Sequence, residues 1–255
     1  MTMQVVSVGS GPDICFLHGW GMNSEVWRET ATYLSDNYRV TLIDLPGFGI
    51  NADVPCDFSL QNITELVAPL VPDQAVLVGW SLGGLIANSI VLSEPGKIKK
   101  LVLIASNAQF AENKNWPTAM KIDVLEGFVE NLSQDYKQTL QRFLMLQARG
   151  GDNAKDTIRE LKQRLYQHGE PSEQALYRGL QLLKNISFIT QLADINIPTL
   201  LLYGKLDALV PVSAATEMLN RLPEAKLYIF PKAAHAPFIS HFNEFTKELD
   251  TFLHE

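Results

Sequence analysis

Short apolar runs and longer segments of helical period alternate along most of this chain. Residues 14–17, 39–43, 75–78, 101–104, 199–203 and 226–230 are rich in Val, Ile and Leu and are bounded by Gly, Pro or Asp. Runs of this length with no polar alternate face read as strands buried on both sides, as in a parallel sheet. Between them, apolar positions recur three and four apart in residues 26–34, 82–92, 214–220 and 243–253, which predicts helices. Strands and helices in alternation predict an α/β class with a mostly parallel, doubly wound sheet. The alternation stops between about 112 and 183, where DVLEGFVENL, YKQTLQRFLMLQ and AKDTIRELKQRLYQ are all helical in period. We therefore expect a helical insertion at 112–183 in a core made of residues 1–111 and 184–255. In open α/β sheets ligands bind beyond the carboxyl ends of the strands, so an insertion leaving that edge is expected to cover the site as a lid.

Composition narrows the function classes. The chain has 255 residues, 46% hydrophobic, which is enough for a sizeable core. A net charge of −7 argues against a generalised nucleic-acid binder but leaves room for a local basic patch. No apolar run approaches the length that spans a bilayer, and the opening MTMQVVSVGSGP has no basic stretch followed by a long apolar one. Cys15 and Cys56 are the only cysteines and form no CxxC, so neither a disulfide scaffold nor a structural zinc site is expected. The expectation is a cytoplasmic, monomeric protein that binds neither nucleic acid nor membrane.

The chemistry centres on Gly79-Trp80-Ser81-Leu82-Gly83, a G-x-S-x-G between the strand AVLV and the helix LGGLIANSIVL. A serine on a sharp strand-to-helix turn needs neighbours without bulk two positions away, which Gly79 and Gly83 supply. The turn also sets the hydroxyl at a helix N-terminus, where the dipole favours developing negative charge. In this fold the acid and the histidine follow in that order. Asp207, in GKLDALVP after the strand TLLLYG, is the candidate acid; the preceding strand tip, IASNAQF, carries Ser106 and Asn107 and no carboxylate. Among five histidines, His235 follows the last strand in PKAAHAPF and is the candidate base. His168 falls in the insertion, His254 at the C-terminus, and His241 reads as a surface or helix-start residue. His18-Gly19-Trp20-Gly21, after the strand ICFL, supplies a Gly-rich loop whose backbone N–H can face the serine. The oxyanion donors are assigned to Trp20 and Leu82, with His18 orienting the loop. Gly47-Phe48-Gly49-Ile50-Asn51-Ala52 matches a dinucleotide fingerprint, but no helix is predicted to open there, so Asp44 to Gly49 reads as a structural turn. No residues fall at metal-ligand spacing, and no cofactor is implied.

Five segments, HGWGMNSEVW, DLPGFG, GWSLGGL, LYGKLDALVP and KAAHAPFISH, together resemble the pimeloyl-acyl carrier protein methyl ester esterases of bacterial biotin synthesis. The likeness runs over essentially the whole chain; the pair Trp20 and Trp80, the NWP around Trp116, and KAAHAPFISH are its most particular parts. It implies an α/β-hydrolase fold with the helical lid inserted after the sixth strand. It also implies hydrolysis of the methyl ester of a pimeloyl chain on acyl carrier protein, releasing methanol. Substrate contacts are implied at Trp20, Ser81, Leu82, Phe143, Leu144, Met145, Leu146, Gln147 and His235. Carrier-protein contacts are implied at Arg142, Lys155 and Arg159; one expected basic position falls on Gln138, a departure that weakens the contact or shifts it to Lys137. The local charge agrees: residues 137–164 hold seven Lys or Arg against three Asp or Glu.

Triad chemistry does not choose its substrate, so a broad short-chain carboxylesterase stands as an alternative. A ligand receptor built on a hydrolase fold is the alternative from another class. A dehalogenase or epoxide hydrolase is disfavoured, because those carry Asp at the elbow where Ser81 stands.

Overall fold

Each of the six apolar runs lies in a strand of one seven-stranded sheet. The structure, a computed structural model, describes residues 2–255. Its strands are β1 (Val5–Val8), β2 (Asp13–Leu17), β3 (Arg39–Ile43), β4 (Ala75–Trp80), β5 (Ile98–Ile104), β6 (Thr199–Gly204) and β7 (Ala225–Phe230), in the spatial order β1-β3-β2-β4-β5-β6-β7. All neighbours from β3 to β7 run parallel. Every position of β4 and β6 is buried, which is why both read as unbroken apolar runs with no polar face.

The strand missing from the sequence reading is β1. It pairs antiparallel with β3 at the sheet edge, Val5 opposite Ile43, and all four of its residues are exposed. An edge strand with no buried face carries no burial pattern to read.

Five helices lie in the core regions: α1 (Arg28–Leu34), α2 (Leu60–Val67), α3 (Leu82–Ser93), α8 (Val212–Leu219) and α10 (Phe242–His254). A single turn, α9 (Pro237–Ser240), precedes α10. Most of α3 is buried, and that helix is apolar on nearly every side as a result. Lys100, on β5, is buried; its ammonium reaches the carbonyls of Phe252 at 2.7 Å and Leu253 at 3.1 Å and so closes the last turn of α10.

Four consecutive helices join β5 to β6: α4 (Ile122–Gln134), α5 (Tyr136–Ala148), α6 (Ala154–Leu165) and α7 (Glu173–Asn185). Side chains fix two of their starts. Asp135 accepts the Gln138 N–H at 2.9 Å to cap α5, and Ser172 caps α7 through the Ala175 N–H. The segment leaves the sheet after the fifth strand, one earlier than the expected sixth, because only one strand precedes β2.

With the strands from β3 to β7 parallel, their carboxyl ends share one edge. The loops beginning at His18, Ser81, Ala105, Lys205 and Pro231 therefore converge there, and they carry every triad candidate.

Candidate active site

Ser81 occupies a backbone conformation that side chains rarely adopt, φ 53° and ψ −116°, between β4 and the first turn of α3. The surroundings hold it there. Its N–H donates to the Ile104 carbonyl at 2.9 Å, and its own carbonyl accepts from the Ser106 hydroxyl at 2.9 Å and the Gly84 N–H at 3.0 Å. Space is the other constraint. A Cβ on Gly79 would lie 2.5 Å from Gly84 Cα, and one on Gly83 would lie 2.5 Å from the Leu17 carbonyl oxygen. The sharpness of the turn against the start of α3 thus demands Gly79, and its close packing on the end of β2 demands Gly83.

Asp207 and His235 are in direct contact. Nδ1 of His235 lies 2.7 Å from Oδ2 of Asp207, and both side chains are almost wholly buried. The other carboxylate oxygen accepts the N–H groups of Leu209 at 2.7 Å and Val210 at 2.9 Å, so Asp207 is held as an acceptor on both sides. An ionised carboxylate there fixes the proton of the imidazole on Nδ1. Nε2, at the opposite edge of the ring, is buried without a hydrogen-bond partner among the described residues. The backbone of His235 is clamped as well: its N–H donates to the Gln147 carbonyl and its own carbonyl accepts the Trp80 indole N–H, each at 2.9 Å. Trp80 immediately precedes Ser81, so one side chain ties the elbow to the histidine loop.

The His18 loop is oriented from below. Nε2 of His18 accepts the Leu45 N–H at 2.9 Å, which places the ring proton on Nδ1, 2.8 Å from the Gly19 carbonyl. Full burial holds the pKa of His18 below its ordinary value, despite the opposing pull of Asp44. In a trans peptide the carbonyl and the following N–H point in opposite directions. Drawing the Gly19 carbonyl toward His18 therefore aims the Trp20 N–H away from it. Leu82 opens α3, where the N–H has no partner within the helix. Trp20 and Leu82 are the residues whose N–H groups the sequence offers as oxyanion donors.

Trp20 is buried under the helical segment. Its indole N–H donates to the Leu176 carbonyl of α7 at 2.8 Å, and its ring lies 4.7 Å from that of Phe143 on α5. The expected substrate segment of α5 faces two ways. Phe143, Leu144 and Gln147 are buried, whereas Met145 is 47% exposed. Neither amide atom of Gln147 has a partner among the described residues. Met145 and the half-buried Leu146 line an outer groove of about 620 Å³ with Phe128, Arg142 and Arg149, and neither Ser81 nor His235 borders it.

The expected carrier contacts differ in pairing. Arg142 and Lys155 have no ion-pair partner among the described residues, while Arg159 is paired with Asp156 at 2.8 Å. Lys137, beside Gln138, is paired with Glu170 at 2.6 Å. His168 and His254 stand away from the site: His168 bonds Glu25, and His254 bonds the Asp250 carbonyl within α10. The Asp44 to Gly49 segment is a turn closed by the buried Asp44 carboxylate, which accepts from the N–H groups of Ser24 and Ile50. Among the described residues no group of three or more His, Cys, Asp or Glu could hold a metal ion.

The sequence singled out Ser106 only as a strand tip without a carboxylate; its hydroxyl holds the Ser81 carbonyl, a role that leaves no motif in the sequence.

Comparison with known proteins agrees with this geometry. A family model described as alpha/beta hydrolase fold matches residues 12–242. A pimeloyl-acyl carrier protein methyl ester esterase of Aeromonas hydrophila is 40% identical over 255 residues, covering 99% of this chain and all of the relative. A protein of the same name from Pectobacterium atrosepticum is 40% identical, covering 94% of this chain and 93% of its own. Among solved structures, an esterase from Exiguobacterium antarcticum superposes with a TM-score of 0.91 at 22% identity, covering 99% of this chain and 96% of its own, and shows the fold. The chain belongs to the pimeloyl-acyl carrier protein methyl ester esterase family, on the alpha/beta hydrolase fold.

Proposed function

We propose that this protein is a serine esterase that hydrolyses the methyl ester of pimeloyl-acyl carrier protein, giving pimeloyl-acyl carrier protein and methanol for biotin synthesis. The observation that carries the chemistry is the buried Asp207–His235 pair with Nε2 left open, on the sheet edge that carries Ser81 in its strained turn. The identity of about 40% over nearly the whole length of relatives so named supports the substrate.

In this reading the Ser81 hydroxyl attacks the ester carbonyl while His235 Nε2 takes its proton. Asp207 stabilises the imidazolium that forms and keeps the ring in its working tautomer. The carbonyl oxygen, now anionic, is met by the N–H groups of Trp20 and Leu82. Collapse of the adduct expels methanol, which receives the proton from His235, and leaves the acyl chain on Ser81. A water molecule, activated by His235, then frees the carboxylate and regenerates the serine.

We read helices α4 to α7, which lie in the predicted 112–183 insertion and run two residues past it to Asn185, as a lid over this edge. Phe143, Leu144 and Gln147 on α5 then face the chain of the substrate. Arg142 and Lys155 offer exposed charge to the acidic carrier. A monomeric cytoplasmic enzyme fits this role.

The test is methanol release from pimeloyl-acyl carrier protein methyl ester by the purified protein, followed as the loss of one methylene in the mass of the acyl carrier protein. The gene is also expected to restore growth without biotin to a strain lacking this esterase. Hydrolysis of simple nitrophenyl esters without either result would favour the broad carboxylesterase, and no hydrolysis at all would favour a receptor.

A further inference from the structure

The loop that carries the Trp20 N–H is fastened to the helical segment by a second residue, Asn23. Asn23 is buried and extended (φ −138°, ψ 176°), and it caps the short 3-10 helix Ser24–Trp27 by accepting the Glu25 N–H on Oδ1 at 3.1 Å. Its amide group points the other way. Nδ2 donates to the carbonyls of Arg164 at 3.1 Å and Leu165 at 2.9 Å, the last two residues of α6. A helix end leaves carbonyls without helical partners, and Asn23 reaches two of them: that of Arg164, which the Gln167 N–H also bonds at 3.2 Å, and that of Leu165.

Arg164 returns the contact. Its Nη1 donates to the carbonyls of Glu25 at 3.0 Å and Val26 at 2.7 Å, in the 3-10 helix that Asn23 caps, and its other arm is held by Glu160. His168, just past α6, bonds Glu25 at 2.8 Å. Each side of the junction thus satisfies the backbone of the other, which makes it a defined latch and not a sliding surface. The loop is short and internally tied, since the Met22 N–H donates to the same Gly19 carbonyl that His18 holds. Only Gly21 and Met22 separate Asn23 from Trp20. The same helix, α6, packs against α9, which begins two residues after His235. One element of the lid therefore abuts both loops of the reaction centre.

We propose that Asn23 is a positioning residue: its carboxamide locks the oxyanion loop to α6, so that the Trp20 N–H reaches its working position only when α6 is in place. The proposal rests on the esterase reading of Ser81 and adds a residue to it. It makes the lid part of the oxyanion hole as well as a wall of the pocket.

The discriminating variant is Asn23→Asp. Aspartate keeps the helix-capping acceptor, but it sets a carboxylate against two carbonyls at the negative end of α6. On nitrophenyl butyrate kcat should fall about tenfold with KM nearly unchanged, short of the roughly 10²–10³-fold loss that follows removal of an oxyanion donor outright. Affinity for a trifluoromethyl ketone, which forms a tetrahedral oxyanion on Ser81, should fall by a similar factor, while affinity for the planar methyl ketone should hold. Arg164→Lys, which keeps the cation but loses the second arm that Glu160 holds, should give a smaller loss of the same kind. If Asn23→Asp fails to fold, Arg164→Gln carries the same comparison. A lower Tm with kcat and trifluoromethyl ketone affinity unchanged would overturn the proposal and leave the latch a stabilising contact. Equal loss of both ketones would overturn it too, as general damage to the pocket. A wild-type protein inactive on every ester would instead overturn the esterase reading beneath it.

Discussion

His235 keeps one nitrogen for Asp207 and leaves the other buried and open, and that asymmetry decides what each residue can do. Ser81→Ala and His235→Ala should each lower kcat on nitrophenyl butyrate by several orders of magnitude. Asp207→Asn should cost roughly 10⁴-fold, because its amide would favour the wrong imidazole tautomer. Circular dichroism should show the fold intact in all three. Near-full activity in Asp207→Asn would mean that the acid is assigned wrongly. His18 makes a different prediction. Burial holds its folded pKa below the ordinary 6.5, so below pH 6.5 the unfolded chain takes up a proton that the folded one refuses. The stability it contributes is present above 6.5 and is lost as pH falls toward the folded pKa. For one proton the slope approaches about 1.4 kcal/mol per pH unit. Urea denaturation at pH 7.5 and 5.5 should show this loss in the wild type and less of it in His18→Asn. Equal slopes would sink the assignment.

At the scale of elements, the strand–turn–helix around Ser81 is held by packing at zero tolerance. Gly83→Ala would bring a Cβ to 2.5 Å from the Leu17 carbonyl oxygen and 2.6 Å from that of His18. Both belong to backbone, so neither can swing aside. The helix must shift away from the start of the oxyanion loop, at a cost of about 1–3 kcal/mol in stability. The variant should show a lower Tm and, because Leu82 and Trp20 then separate, a lower kcat. A kcat equal to wild type would show that the loop follows the helix. The helices between β5 and β6 are legible in the sequence, whereas the directions of their side chains are not. Their period marks one apolar face each, but α5 alone turns Phe143, Leu144 and Gln147 inward and Met145 outward within five residues.

Across the whole molecule, charge placement opposes net charge. The chain carries −7, while Arg142 and Arg149 flank an apolar groove on the outer side of α5 and α4. An acidic carrier protein would be repelled at long range, yet at physiological salt screening leaves only charges within about 8 Å effective. Arg142→Glu should therefore lower kcat/KM for the carrier-bound ester by about tenfold, since rim charges act mainly on association. Hydrolysis of nitrophenyl butyrate should stay near wild type. Arg159→Glu should have the weaker effect, because Asp156 already neutralises that guanidinium. Equal losses on both substrates would indicate a disturbed lid and remove the docking argument.

The sequence alone determined the class of the fold and six of the seven strands, and it named candidate residues that the fold gathers at one edge of the sheet. It could do so because buried parallel strands leave unbroken apolar runs, and because a sharp turn at a strand end tolerates few residues beside Ser81. Edge strand β1 escaped, since its exposed residues Val5, Val6, Ser7 and Val8 carry no burial signal and gain their structure from pairing with β3. Tertiary structure decided the rest. Nothing local to Asn23 indicates that its amide meets the end of α6, more than 140 residues along the chain. Likewise the pairing of Lys137 with Glu170 and of Arg159 with Asp156 sorts a run of basic residues into occupied and open charges. Local pattern follows from which residues are buried, whereas orientation and pairing depend on what the fold brings opposite each of them.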